Sequence, residues 1–220
     1  LHTMGAAFAE RHRAIGADVE TLKHHVYVLS IETSEDLWDT VDSRLPAFIA
    51  QQMKDPTGME VRLLVIDSLG ALLRAWEAHP QADAATSAKE RARYVQKLAA
   101  RLKQISAAFK VAVVVLNQVA DKPFDEAQRR AAAPWERGPC ATPDGMGARV
   151  PALGAAWASC VNTRLVLMRE ATAGEAEGVQ HPPSAWRREL HVAWSPRLGE
   201  RSVPFELAEH GLAGVTLALR

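Results

Sequence analysis

Asp67 closes the apolar run Leu63-Leu64-Val65-Ile66, and Asn117-Gln118 closes a second such run that extends from Val111 to Leu116. An acid directly after a buried strand is what a nucleotide-binding sheet uses to hold Mg2+ beside phosphates, usually through a water. A local role competes with this one: Asp67 or Ser68 caps a helix running from about Leu69 to Trp76. An amide at the end of a neighbouring strand stands where it would feel a γ-phosphate and pass its presence to the loop that follows. The plainer reading of Asn117-Gln118 is a pair of polar residues where a buried strand reaches water.

Two basic segments are candidates for nucleic acid. The stretch from Lys89 to Lys110 carries Lys89, Arg91, Arg93, Lys97, Arg101, Lys103 and Lys110 against the single acid Glu90. Such an excess either meets a phosphate backbone or forms a solvated helix face. The segment 119–151 holds Arg129, Arg130, Arg137 and Arg149 with Phe124 and Trp135, a mixture suited to single-stranded DNA through charge and base stacking. Asp121, Asp125, Glu126, Glu136 and Asp144 offset that charge, which leaves a neutral loop as the competing reading. Hydrolase and redox signatures are missing: no Gly-x-Ser-x-Gly, His-Glu-x-x-His or Cys-x-x-Cys occurs, and His24-His25 reads as the solvated start of a strand. No metal site built only from protein groups is expected.

Chemistry shared by two strand ends requires the strands to lie side by side with their carboxyl ends together. Residues 61–66 and 111–116 are nearly unbroken apolar runs, which suits strands buried on both faces of a parallel sheet. Between them, Val95, Leu98, Leu102, Ile105 and Phe109 recur at helical spacing, which predicts an amphipathic helix from Lys89 to Lys110. His25 to Ile31 predicts a strand, followed by a helix from Ser34 to about Met53. Strands alternating with helices predict a doubly wound α/β sheet whose ligands sit beyond the carboxyl ends of the strands. Residues 119–151 lack an apolar period and read as one long loop. After a short helix from Ala152 to Ser159, the runs Thr163 to Met168, Glu189 to Trp194 and Ser202 to Leu207 predict a β meander at one edge of the sheet.

The 220 residues, 48% hydrophobic, can bury one core, so the chain is read as one partial domain over 1–220. Lys plus Arg equal Asp plus Glu at 26 each, so binding to nucleic acid must be local rather than global. Cys140 and Cys160 form no disulfide framework, and no apolar run reaches the roughly 18 residues of a membrane span. A soluble intracellular protein is expected. The start at Leu1 reads as the tail of a strand already under way, so the N-terminus is read as truncated.

The order Leu-Leu-Val-Ile-Asp67-Ser68, basic helix, Val-Ala-Val-Val-Val-Leu-Asn117-Gln118, long loop and Pro151-Ala-Leu-Gly154-Ala-Ala-Trp157-Ala resembles the RecA-type recombinases, and among them the eukaryotic recombinase paralogues. The resemblance runs from Leu1 to about Gly214. It implies a RecA-like core lacking its first strand and phosphate-binding loop. It implies ATP and Mg2+ faced by Asp67, Ser68 and Gln118, with Asp67 on the metal side. It implies single-stranded and branched DNA held by two loops, 75–90 and 119–151, the second through Arg129, Arg130, Trp135, Arg137 and Arg149. A nuclear role in double-strand break repair and junction processing, with the paralogue lettered C as heterodimer partner, is likewise implied. Two departures stand out. No Gly-x-x-x-x-Gly-Lys-[Ser/Thr] occurs to cradle phosphates. Met4, in Leu1-His2-Thr3-Met4-Gly5, takes the place of the family's water-activating acid, and a thioether cannot accept a proton. At most a weak DNA-dependent ATPase is expected in the full-length protein, and none in this chain alone.

Overall fold

The computed structural model describes residues 25–55, 59–74, 83–123, 125–127, 147–171, 186–208 and 211–214. The chain divides into two compact units, Leu29–Val161 and Asn162–Arg220 with Leu1–Val28.

In the unit Leu29–Val161, helix α1 (Ser34–Asp39) starts one residue after its cap: the Thr33 hydroxyl accepts from Asp36 N at 3.1 Å. A π turn over Thr40–Arg44 joins α1 to α2 (Leu45–Lys54). Pro46 accounts for the widening, because it has no N–H for the Asp42 carbonyl and its ring crowds that turn. Leu37, Val41 and Ile49 line one face of this rod and are buried. Strand β1 (Leu63–Ile66) leads into α3 (Leu69–Arg74). The long helix α4 (Ala84–Phe109) follows. Asp83 caps it, its carboxylate accepting from Thr86 N at 2.7 Å, and these bonds hold the carboxyl below its ordinary range. Lys110 ends it in the left-handed conformation at φ 58°. Val95, Leu98, Ala99, Leu102 and Ile105 form its buried stripe against the α1–α2 rod, α3 and the sheet.

Strand β2 (Ala112–Val115) pairs with β1 in parallel, from Leu63 opposite Ala112 to Ile66 opposite Val115. The α/β reading therefore holds. Burial on both faces does not: Leu64, Ile66, Val113 and Val115 pack on the core, whereas Leu63 is 56%, Val65 51% and Val114 47% exposed. Helices cover one face of this pair among the described residues, and an unbroken apolar run cannot report which face that is.

Residues 119–151 are not loop throughout. Strands β3 (Val119–Pro123) and β4 (Gly147–Pro151) pair antiparallel, from Val119 opposite Pro151 to Pro123 opposite Gly147. The ladder uses backbone groups, so it leaves no apolar period in the sequence. Helix α5 (Gly154–Ala158) then buries Trp157.

The second unit holds an antiparallel meander of β5 (Arg164–Ala171), β6 (Trp186–Trp194), β7 (Arg201–Ala208) and β8 (Gly211–Gly214). The sequence predicts the first three of these strands, and β8 is a fourth. His191 and Val192 are buried in β6, and Nδ1 of His191 lies 3.0 Å from Ser202 Oγ. Residues 25–31, expected as a strand, are not in one, and Val26 to Leu29 are exposed. β-branched composition favours a strand but does not supply the pairing partner that makes one. Among the described residues no helix is long and apolar enough to cross a membrane.

Candidate functional site

The parallel register places the two polar strand ends next to each other. Leu116 N donates to the Ile66 carbonyl at 2.9 Å, and Leu69 N donates to the Leu116 carbonyl at 3.3 Å. The turn Asp67-Ser68 therefore runs beside Leu116–Gln118, and its peptide bond is cis. Asp67 and Gln118 are exposed and Ser68 is half-buried. Helix α3 starts on a backbone bond from Ala71 N to the Ser68 carbonyl at 3.2 Å.

Exposed and half-buried residues keep alternating past the strand ends: Gln118 is exposed like Val114 and Leu116, and Asp67 is exposed like Leu63 and Val65. Asn117 follows Val113 and Val115 toward the helices. There its Oδ1 is buried without a hydrogen-bond partner. A Cβ added to Gly70 would lie 3.0 Å from that atom and 3.4 Å from Gln118 N. Sequence reasoning misses Gly70, since nothing in its neighbours signals an approach to the second strand end. Past the site, Ala152 N donates to the Gln118 carbonyl at 2.8 Å, which ties Gln118 to the chain returning from β4.

The remaining expected residues divide as follows. Met4, Arg129, Arg130, Trp135 and Arg137 lie outside the described residues. Arg149 is in β4, paired in register with Asp121 of the exposed strand β3. Residues 84–90, expected within a first DNA loop, are helical from the Asp83 cap onward, and 75–82 lie outside the described residues.

The basic helix is in part structural. Lys97 Nζ sits 3.7 Å over the Trp38 ring, where the ring's negative face attracts the ammonium. Arg101 Nη2 donates to the Asp42 carbonyl at 2.6 Å, the group that Pro46 cannot serve. Its Nε is 2.9 Å from Asp42 Oδ1, near enough for charge attraction but not aligned as a hydrogen bond. Tyr94 donates to the Ser34 carbonyl at 2.5 Å. Burial, reinforced by the nearby Glu35 charge, pushes its phenol up to about 12. Lys89, Arg91, Arg93 and Lys103 are exposed. Among the described residues no group of three or more His, Cys, Asp or Glu is arranged to hold a metal.

Two adjacent parallel strands, one ended by an acid and the other by Asn-Gln, then a β arm and an Ala-Leu-Gly-x-x-Trp-Ala helix, are the features on which the resemblance to the recombinase paralogues rests. Comparison with known proteins points to the same kind of relative. The chain is 27% identical to the DNA repair protein XRCC3 homolog of Arabidopsis thaliana, over 98% of this chain and 70% of the relative. It is 27% identical to mouse DNA repair protein XRCC3, over 87% of this chain and 48% of that protein. With the cattle protein of the same name it shares 29% identity over 87% of this chain and 47% of the relative. The resemblance read at the strand ends is thus a resemblance to XRCC3, a RecA-family recombinase paralogue, and it covers most of this chain. The chain spans about half the length of the two mammalian relatives. No family model matches it.

Proposed function

We propose that this chain serves DNA repair by homologous recombination, as a RecA-like subunit that faces ATP, Mg2+ and DNA within a nuclear complex of recombinase paralogues. The observation that carries this reading is that the parallel pairing of β1 and β2 brings two exposed residues, Asp67 and Gln118, to the same carboxyl edge. Asp67 offers an exposed carboxylate to the waters of a hydrated Mg2+, and Gln118 offers an amide to a phosphate. Mg2+ supplies charge neutralisation at phosphate when bound. These 220 residues hold no phosphate-cradling motif, so Asp67, Ser68 and Gln118 fit only the metal side and the sensing side of the nucleotide. DNA is met by the segment beyond β3, through Arg129, Arg130, Trp135, Arg137 and Arg149. The partner is another paralogue, the one lettered C.

A second reading is a RecA-fold scaffold for such a partner without nucleotide chemistry. The open apolar face of Leu63, Val65 and Val114 favours it, as does Met4 in the place of the family's acid. The two readings separate in the protein that carries this chain, purified with its paralogue partner and assayed on single-stranded DNA with and without MgATP. The first reading expects MgATP to change affinity and both Asp67→Ala and Gln118→Ala to abolish that change. Binding that ignores MgATP in the parent and in both variants supports the scaffold and overturns the nucleotide role.

A further inference from the structure

Gly70 is the second residue of α3 and does not occupy the left-handed region, so its backbone conformation does not require glycine. Helix propensity favours alanine at such a position. What glycine provides is space: a Cβ there would press on Asn117 Oδ1 at 3.0 Å and approach Gln118 N at 3.4 Å. The oxygen that this Cβ would press on is buried and lacks a hydrogen-bond partner. No hydrogen bond to that oxygen holds the side chain, so its position depends on the space left beside Gly70.

We infer that Gly70 and Asn117 form a close-packed joint that sets where Gln118 lies, and through the Gln118 carbonyl sets where the returning arm meets the site at Ala152. Asn117 is a positioning residue, and Gly70 is its seat. The joint fixes the turn that bears Asp67 against the strand end that bears Gln118, so the acid and the amide shift together. This deepens the nucleotide-facing reading of Gln118 and rests on it for its purpose, although the joint itself is measurable without nucleotide.

Amide hydrogen exchange of the protein that carries this chain, without nucleotide, tests it at two positions. Ala152 N donates to the Gln118 carbonyl at 2.8 Å, beside the joint; Ala112 N donates to the Arg62 carbonyl at 2.9 Å, at the far end of the same strand pair. Gly70→Ala is expected to speed exchange at Ala152 roughly tenfold, the size of a mild overpacking penalty, and to leave Ala112 unchanged. Asn117→Ala alone is also expected to speed exchange at Ala152, and Gly70→Ala/Asn117→Ala to restore it to within about twofold of the parent, because the added methyl then fills the space that the amide has left. Unchanged exchange at Ala152, equal acceleration at both positions, or no recovery in the double variant each overturns the joint. Should Gly70→Ala fail to fold, a folded double variant supports the joint and an unfolded one overturns it. Loss of the MgATP response in the DNA assay, with the exchange pattern intact, would instead remove the nucleotide role of Gln118 and leave the joint standing.

Discussion

Arg101 Nη2 donates to the main-chain carbonyl of Asp42 at 2.6 Å, and its Nε lies 2.9 Å from the Asp42 carboxylate. One arginine of a helix that reads as a DNA-binding face is thereby committed to holding α4 on the π turn. Lys97, one turn earlier, is committed to Trp38.

Arg101→Ala should destabilise the chain by about 1–2 kcal/mol, because a charge-assisted hydrogen bond disappears and the half-exposed ion pair adds little. Lys97→Ala should cost about 0.5–1 kcal/mol, because the ammonium no longer sits over the Trp38 ring. Urea unfolding midpoints measure both. If these variants unfold like the parent yet weaken DNA binding, the two side chains face DNA and the structural assignment is wrong.

Tyr94 predicts a pH dependence. Its phenol is raised to about 12 in the folded chain, against an ordinary 10. A raised value means the folded state holds the proton more tightly than the unfolded state. The resulting stability is fully present below pH 10 and is lost as pH rises from 10 through 12. Tyr94→Phe should be less stable than the parent at pH 8 and should narrow that gap across this window. Parallel pH profiles for the two proteins would show that Tyr94 does not titrate differently on folding.

The open face of β1 and β2 predicts how surface changes behave. Val65→Thr and Val114→Thr should leave stability within about 0.5 kcal/mol of the parent, since both side chains are already half in water. They should raise the concentration at which the chain stays monodisperse. Leu98→Ala, in the fully buried stripe, should cost about 2–5 kcal/mol. Comparable losses for Val65→Thr and Leu98→Ala, read from chemical unfolding, would mean that both faces of the sheet are covered.

Features that leave a local mark can be read before folding is known. The runs ending at Asp67 and Asn117 stand out because a buried strand must be apolar and its end must meet water, so the strands and their shared carboxyl edge are visible directly. The helical spacing from Val95 to Phe109 reveals α4, but its first turns at Ala84–Ala88 carry no apolar period, and only the Asp83 carboxylate marks their start. The β3–β4 ladder is hidden because Val-Ala-Asp-Lys-Pro does not alternate and its strand lies wholly exposed. The free face of β1 is hidden because Leu-Leu-Val-Ile reads alike whether one side or both are covered. Gly70 against Asn117 is beyond reach: the two residues meet only once the strand ends have been brought together.

In the function proposed for it, this chain meets single-stranded DNA through the segment beyond β3 while its basic helix holds the fold together. The slope of log affinity against log salt for single-stranded DNA separates those two roles, measured on the protein that carries this chain together with its paralogue partner. Replacing Arg129, Arg130 and Arg137 by Ala should make that slope shallower by about 0.7 for each phosphate no longer neutralised. Trp135→Ala should cost on the order of 1–3 kcal/mol of affinity with little change in slope, as expected where a base stacks on an indole. If those substitutions leave both affinity and slope unchanged, and neutralising Arg93, Lys97 and Arg101 reduces them, the helix is the DNA surface and the segment beyond β3 is not.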